Sequence, residues 1–535
     1  MRNERRRLIS QETSAKTTAT VAPVNETQPE TSYTATTQSK KKIFSILNRT
    51  WGGRTFRFKI SSFRLGDNIS IRRFSIVEAA LLIILAMLAS HVLGVIRQTL
   101  FNAMFGTGPA ANAYYAASRL PDALFNLITG GALTHAFIPV FLSYEKDHGQ
   151  RESWRLASLI FNILLVVLAL LALIGELFTP QFVNTLIVPG YSPTEQALTT
   201  SLTRVMLFQP VILGLGTIVT SILNSRRQFL LPAVAVAIYN FGLIGGLVVS
   251  LIVPKVGVYG PTYGLLAASL LQVLIQVPAL LKQEVQYSFL WNLRHPGLHE
   301  LLRLLGPNVL GVATASAGIV VDTAFVSYFP DRASLAALHN ASLLQALPVL
   351  LLSQAIGQAL LPDLTAQATS GRYVRMCLTG IRVIGVSLLL TLPTSVALWL
   401  FGKPLIHLLF QHGAFDQHSS DLTNLALIGY ALGLPAVVAV DLIARGFFAL
   451  KDTHTPFFIG LFSLAMRYGL LLLLLHMLSQ RFMILSIPLA TAGAGTTETL
   501  LLGLILFFLL RARVKADKGM QRLQRRRLSQ VNNSS

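Results

Sequence analysis

The sequence predicts an all-α polytopic membrane protein, with about twelve transmembrane helices in two six-helix lobes related by a pseudo-two-fold axis along the membrane normal. Three observations predict it. Of 535 residues, 53% are hydrophobic and 13% charged, about half the ~25% charged fraction of a soluble domain. Apolar runs of spanning length recur from Ile76 to Leu510. The second half of this apolar body also repeats sequence landmarks of the first half.

Residues 1–77 precede the first apolar run and carry 15 Lys and Arg against 5 Asp and Glu. Residues 8–45 are rich in Thr, Ser, Gln and Glu without hydrophobic periodicity, so a disordered cytoplasmic tail is expected. No apolar stretch follows the basic residues at 2–7, so no signal peptide is expected. Residues 46–77 mix aromatic and basic side chains, such as Trp51, Phe56, Phe63, Arg72 and Arg73, and read either as a headgroup-contacting segment or as a solvated linker.

Spans are then predicted near 78–97, 110–142, 154–178, 200–224, 229–253, 261–282, 300–328, 334–366, 376–401, 421–449, 455–476 and 484–510. Several exceed the roughly 20 residues that cross a hydrocarbon core. These contain Pro121, Pro139, Pro348, Pro362 or Pro435, so bends or extensions are expected. With a cytoplasmic N-terminus, inside loops carry eleven Lys and Arg, among them Lys146, Arg226, Arg227, Arg372 and Lys451. Outside loops carry four: Lys255, Arg332, Lys403 and Arg481. The positive-inside rule then puts both termini in the cytoplasm. The predicted organisation is an N-lobe at 78–283, a cytoplasmic linker at 284–299, a C-lobe at 300–511 and a basic tail at 512–535.

The net charge of +21 belongs mostly to the two ends, since residues 511–535 add eight basic residues against one acidic. Tails flanking a membrane body point to anionic headgroups and not to nucleic acid. A single cysteine, Cys377, excludes an internal disulfide or a Cys-rich metal cluster. No Walker loop, HExxH or GxSxG motif is present, and no inter-span loop is long enough for a catalytic domain, so a transporter is expected and not an enzyme.

The repeat is legible in two places. "ALFNLITGGALTHAFIP" (123–139) mirrors "ALPVLLLSQAIGQALLP" (346–362), and "IVTSILNSRRQFLLP" (218–232) mirrors "LIARGFFALKDTHTP" (442–456). The offset is near 223 residues, and six spans per copy keep both copies in the same orientation. A substrate site between parallel repeats follows.

Charges inside spans are costly enough to mark function or pairing. Arg97 and Arg119 are the candidate anion binders, because a guanidinium holds phosphate with two parallel hydrogen bonds. His91 lies about two turns before Arg97. Asp322, in "GIVVDTAF", and Asp441, in "AVVAVDLIARGF", are candidates for coupling to Na+ or a proton. Arg445 follows Asp441 by one helical turn, so an ion pair stays open as the alternative.

Two segments carry a family resemblance: "SHVLGVIRQTLFNAMFGTGPAANAYYAASRLPDALFNLITGGALTHAFIPVF" (90–141), and "LLFQHGAFD" (408–416) with "GFFALKDTHTP" (446–456). They resemble the MurJ/MviN family of lipid II flippases, within the multidrug/oligosaccharidyl-lipid/polysaccharide exporter superfamily. The resemblance implies two lobes, alternating access and a central cationic cavity for the head of lipid II. It also implies location in the bacterial cytoplasmic membrane, with cell-wall synthesis enzymes as possible partners and no cofactor. Arg97 and Arg119 match basic positions of the family pattern and would bind the diphosphate, with His91 and Asn112 lining the cavity. Asp322 matches a position implicated in cation binding in some members.

Departures are visible as well. His91 stands where the pattern has Arg, Gln98 where it has an acid, Phe125-Asn126 where it has an Arg pair, and Gly130 where it has Glu. The family commonly has fourteen spans, and twelve are legible here. The function expected is flipping of lipid II. The alternatives are export of another polyprenyl-diphosphate glycan or amphiphile, or a non-transporting scaffold of cell-wall synthesis.

Overall fold

A computed structural model of the chain describes residues 55–57, 76–128 and 132–532. Most of the predicted N-terminal tail lies outside the described residues. The first half holds α1 (Ile76–Phe105), α2 (Pro109–Ile128), α3 (Ala132–His148), α4 (Gln150–Gln181), α5 (Pro193–Met206), α6 (Phe208–Ser225), α7 (Leu230–Ile252), α8 (Tyr259–Leu274) and α9 (Val277–Leu281). The second half holds α10 (Pro296–Ser327), α11 (Ser334–Val349), α12 (Ala355–Thr369), α13 (Tyr373–Phe410), α14 (Gln417–Ala449), α15 (His454–Met477) and α16 (Ser486–Asn532). Two short strands, β1 (Thr55–Arg57) and β2 (Gln286–Ser288), pair antiparallel, so the segment before α1 reaches the linker between the lobes.

Among the described residues, nine helices are long and apolar enough to span a membrane, and ten if α10 counts as one bent span. The predicted count of twelve is not reached on that test. The predicted span 110–142 falls on α2 and α3, and α2 places Asn112, Arg119, Asp122 and Asn126 within 20 residues. Its polarity fits a helix that faces the interior of the protein. Lipid-facing surfaces show the opposite pattern: α4 exposes Val166, Leu170, Leu173 and Leu177 at helical spacing along one side.

Local chemistry sets the ends and breaks of the helices. Ser192 and Glu195 form a reciprocal capping box at the start of α5. Asp416 caps α14 by accepting from the Ser419 N–H at 2.8 Å. The break between α5 and α6 falls at Leu207, because Pro210 has no N–H to offer the carbonyl of Met206. The α10 helix bends by 51° between 296–306 and 311–327, where the sequence reads Gly306-Pro307. Helices α7 and α8 pack backbone to backbone. A Cβ on Gly246 would sit 2.7 Å from the Gly264 Cα, so only small residues allow this approach.

The duplication is written into the backbone. After α6, Arg226 N–H bonds the carbonyls of Ile222 and Leu223, Gln228 N–H bonds that of Leu223, and Arg227 has φ 58°. After α14, Leu450 N–H bonds the carbonyls of Gly446 and Phe447, Asp452 N–H bonds that of Phe447, and Lys451 has φ 61°. The same turn, with a cation in the left-handed region, thus ends matched helices of both copies.

At one end of the bundle the two halves are joined. Ala414 N–H donates to the Ala103 carbonyl at 2.7 Å, Thr107 and Ser419 hydroxyls lie 2.7 Å apart, and Gly190 N–H donates to Ser327 Oγ at 2.9 Å. Beneath these contacts a core that includes Phe101, Tyr115, Val188, Leu338, Phe410 and Phe415 draws from both halves. We call this the sealed end.

Candidate functional site

Helices α1, α2, α6, α7 and α8 together with α11 surround a cavity of about 150 Å³. Arg97 lines it, as do Gln98 from the next position of α1, Tyr114, Ser118 and Asp122 from α2, Gln209 from α6, Tyr239 from α7 and His339 from α11. The polar faces of α1 and α2 point into this space because burial against lipid would leave them unsatisfied.

An amide network forms the boundary between the cavity and the sealed end. Gln98 Nε2 donates to Tyr115 Oη at 2.6 Å, Asn340 Oδ1 at 2.7 Å and Asn102 Oδ1 at 3.2 Å. Asn102 Nδ2 donates to Asn340 Oδ1 at 3.0 Å, and Asn340 Nδ2 donates back to Asn102 Oδ1 at 3.3 Å. Asn102 and Asn340 are fully buried. The His339 ring stacks on Tyr115 with centroids 4.0 Å apart. The network therefore ties α1 and α2 of one half to α11 of the other.

The predicted site residues fall in different places. Arg97 lines the cavity. Arg119 does not line it, but its charge reaches Asp122, Tyr430, Asp322 and Tyr115, and its buried Nε makes no hydrogen bond. It stands between the cavity and the second half. His91 lies on α1 outside the cavity lining. Asn112 is also outside it. Its Nδ2 donates to the carbonyls of Thr107 and Gly108 at 2.7 and 2.8 Å, and its Oδ1 accepts from Ala336 N–H at 2.7 Å. All three partners are backbone: Asn112 Nδ2 ties the Thr107-Gly108 turn to α2, its Oδ1 caps the first turn of α11 through Ala336 N–H, and the residue lies outside the cavity lining expected for it.

Both candidate coupling carboxylates are paired with arginine. Asp322 on α10 binds the Arg467 guanidinium of α15 through Oδ2, and its buried Oδ1 makes no hydrogen bond. Asp441 binds Arg445 at 2.9 Å, one turn along α14, and accepts from the Ser353 hydroxyl. The pairing alternative left open for Asp441 is therefore the arrangement observed. Among the described residues, no group of three or more His, Cys, Asp or Glu is placed to hold a metal ion.

Sequence reasoning missed Gln98, Asn102, Tyr115, Gln209, His339 and Asn340 as a group. The available signal was the adjacent polar pair His339-Asn340 inside an otherwise apolar run.

The family model for "Lipid II flippase MurJ" matches residues 101–528. The chain belongs to the MurJ family. A lipid II flippase MurJ of Burkholderia cenocepacia is 30% identical over 69% of this chain and 72% of its own length. A probable lipid II flippase MurJ of Rhizobium meliloti is 30% identical over 78% of each chain. Among solved structures, a lipid II flippase MurJ in an inward closed conformation aligns with a TM-score of 0.65 at 24% identity, covering 81% of this chain and 92% of that one. A multidrug resistance MATE transporter in an inward-facing conformation aligns with a TM-score of 0.66 at 14% identity, covering 78% and 96%. At those identities the structural likeness speaks for the fold alone. Within the MurJ family fold, the Arg97 cavity lies in the N-terminal half, and His339 is its lining residue from the second half.

Proposed function

We propose that this chain flips lipid II across the bacterial cytoplasmic membrane by alternating access. The observation that carries the reading is a polar cavity in the N-terminal half with Arg97 on its wall, which His339 of the second half helps to line, in a chain of the MurJ family. The positive-inside count supports cytoplasmic termini, and it puts the sealed end on the outer face of the membrane. The cavity then takes the head of the lipid from the cytoplasmic side while the polyprenyl tail stays in the bilayer. Arg97 binds the diphosphate. Arg119, with an unused buried Nε, supplies the second cation as the halves move.

Coupling to Na+ or a proton runs through Asp322 in this reading. Its Oδ1 is unbonded, so one oxygen of the carboxylate is open to a cation while Arg467 holds the other. Asp441 is the weaker candidate, because Arg445 and Ser353 already engage its Oδ2.

Complementation of a strain depleted of its own flippase, with a lipid II translocation readout, tests the site. The double variant Arg97→Ala/Arg119→Ala, expressed at normal levels, is expected to fall to background. Full rescue by that variant sinks the assignment.

A further inference from the structure

We propose that Gln209, Tyr239 and Asp122 form a sugar-ring subsite on the N-terminal half, beside the diphosphate-binding Arg97 in the same cavity; this rests on the lipid II reading above. Gln209 is 6% exposed and lines the cavity. Its Nε2 donates to Tyr239 Oη at 3.1 Å, while its Oε1 is buried and makes no hydrogen bond. Turning the amide over exchanges the two roles, and one polar atom is still left over. A buried amide atom without a partner is costly, so this position is unfavourable until something enters the cavity.

The position of Gln209 is itself unusual. It is the second residue of α6, just after the break at Leu207 that Pro210 enforces. Interrupted spans carry binding sites in transporters because they turn polar groups toward a cavity. Here the break brings a neutral donor–acceptor group opposite the α2 face that carries Tyr114, Ser118 and Asp122.

The chemistry of this set matches a pyranoside. A primary amide both donates and accepts, as a hydroxyl or acetamido group does. The Asp122 carboxylate accepts from two hydroxyls at once. The Tyr114 and Tyr239 rings offer apolar faces with polar tips to the C–H side of a sugar. No cation is needed in such a subsite. The cavity is smaller than the ≈300–1,000 Å³ of ordinary ligand pockets, so the ring enters with the halves further apart than they are here.

The test compares two lipids on the purified full-length chain: undecaprenyl diphosphate, and undecaprenyl diphosphate bearing an N-acetylglucosamine-containing disaccharide. Binding is read by native mass spectrometry and by microscale thermophoresis. The wild-type chain is expected to prefer the glycosylated lipid. Gln209→Ala is expected to weaken that lipid about tenfold, the equivalent of one buried hydrogen bond at ~1.4 kcal/mol, and to leave bare undecaprenyl diphosphate unchanged. Tyr239→Phe keeps the ring and removes the hydroxyl, and a smaller loss in the same direction is expected. It serves as the second variant where Gln209→Ala yields no folded protein. Arg97→Ala is expected to weaken both lipids. Equal effects of Gln209→Ala and Tyr239→Phe on both lipids, or no effect on either, overturn the subsite and leave the flippase reading intact. A wild-type chain that binds neither lipid above a phosphatidylglycerol control overturns the flippase reading and the subsite with it.

Discussion

Replacing Asn340 by leucine is expected to open the sealed end. The side chain is fully buried, and leucine keeps its branched skeleton, with larger methyl groups in place of the amide, while removing every polar atom. Three hydrogen bonds are lost: from Gln98 at 2.7 Å, from Asn102 at 3.0 Å, and the return bond to Asn102 at 3.3 Å. At a net value of about 1 kcal/mol each the total is about 3 kcal/mol. Gln98 retains Tyr115 and Asn102, but Asn102 Nδ2 loses its acceptor and becomes a buried orphan, so the figure is a lower bound. Because the lost bonds join the two halves, the cost falls on the sealed state and not on each half alone. A shift of 3 kcal/mol changes the ratio of sealed to open molecules on the order of a hundredfold. Spin labels at the exposed residues Thr194 and Ser479, in a Cys377→Ser background, report the separation by double electron–electron resonance. The parent should give one short distance, and Asn340→Leu a population at longer distance. A distance distribution identical to that of the parent refutes the argument, because it means that the apolar core holds the halves together without the amides.

Gly106→Ala should move the same label pair in the same direction. Gly106 has φ 55°, and a Cβ there lands on the Ala414 carbonyl, so a left-handed cost of about 1–2 kcal/mol adds to a collision across the seam; an unchanged distance counts against it. Arg467→Met should lower the thermal stability of the purified protein, since breaking a buried ion pair costs about 3–5 kcal/mol, and Asp322→Asn/Arg467→Met should recover much of the loss. Equal melting of the single and double variants would show that the pair is not energetically coupled. His295 caps α10 through Nδ1, which accepts from Gly297 N–H at 3.2 Å, and burial, with His148 adding to it, pushes its pKa below the ordinary 6.5. A depressed folded-state value means that the unfolded chain takes up the proton first, so stability is full above about pH 6.5 and falls as the pH drops toward the folded-state value. His295→Asn keeps a capping oxygen without the titration, and thermal melts between pH 7.5 and 5 should flatten accordingly.

How much was legible in the sequence depended on the range of the interaction. The turn after α6 and its copy after α14 were readable because the same residue types recur at a fixed offset, and the backbone follows them down to the left-handed Arg227 and Lys451. The Asp441–Arg445 pair was readable because both partners lie on one helix a turn apart. That Arg97 faces a cavity follows from a guanidinium in an apolar run having few places to go. By contrast Gln98 and Asn340 are 242 residues apart, and nothing in either neighbourhood names the other. Asn112 was misplaced for a related reason: an amide near a helix start satisfies backbone groups as readily as a ligand, and only the fold shows that Ala336 N–H lies across from it.

The cavity and the seal share a helix, and that constrains how cargo can drive motion. A ligand shifts a two-state equilibrium only through contacts that differ between the states. Arg97 and Gln98 are consecutive on α1 and both line the cavity. Gln98 is also the hub of the network that holds Asn340. Its two amide hydrogens already serve three acceptors, Tyr115, Asn102 and Asn340. A cargo oxygen that takes one of them does so at the expense of an acceptor in that set, and Asn340 and Asn102 are the two whose loss weakens the seam. An acid at this position, as in the family pattern, has no hydrogens to give when ionised and cannot make this network with two asparagines. The neutral Gln98 therefore supplies a route from site to seal by competition for a hydrogen bond, with no change of charge. In this chain the conformational response to cargo should then depend on the hydrogen-bonding capacity of the head group next to the diphosphate.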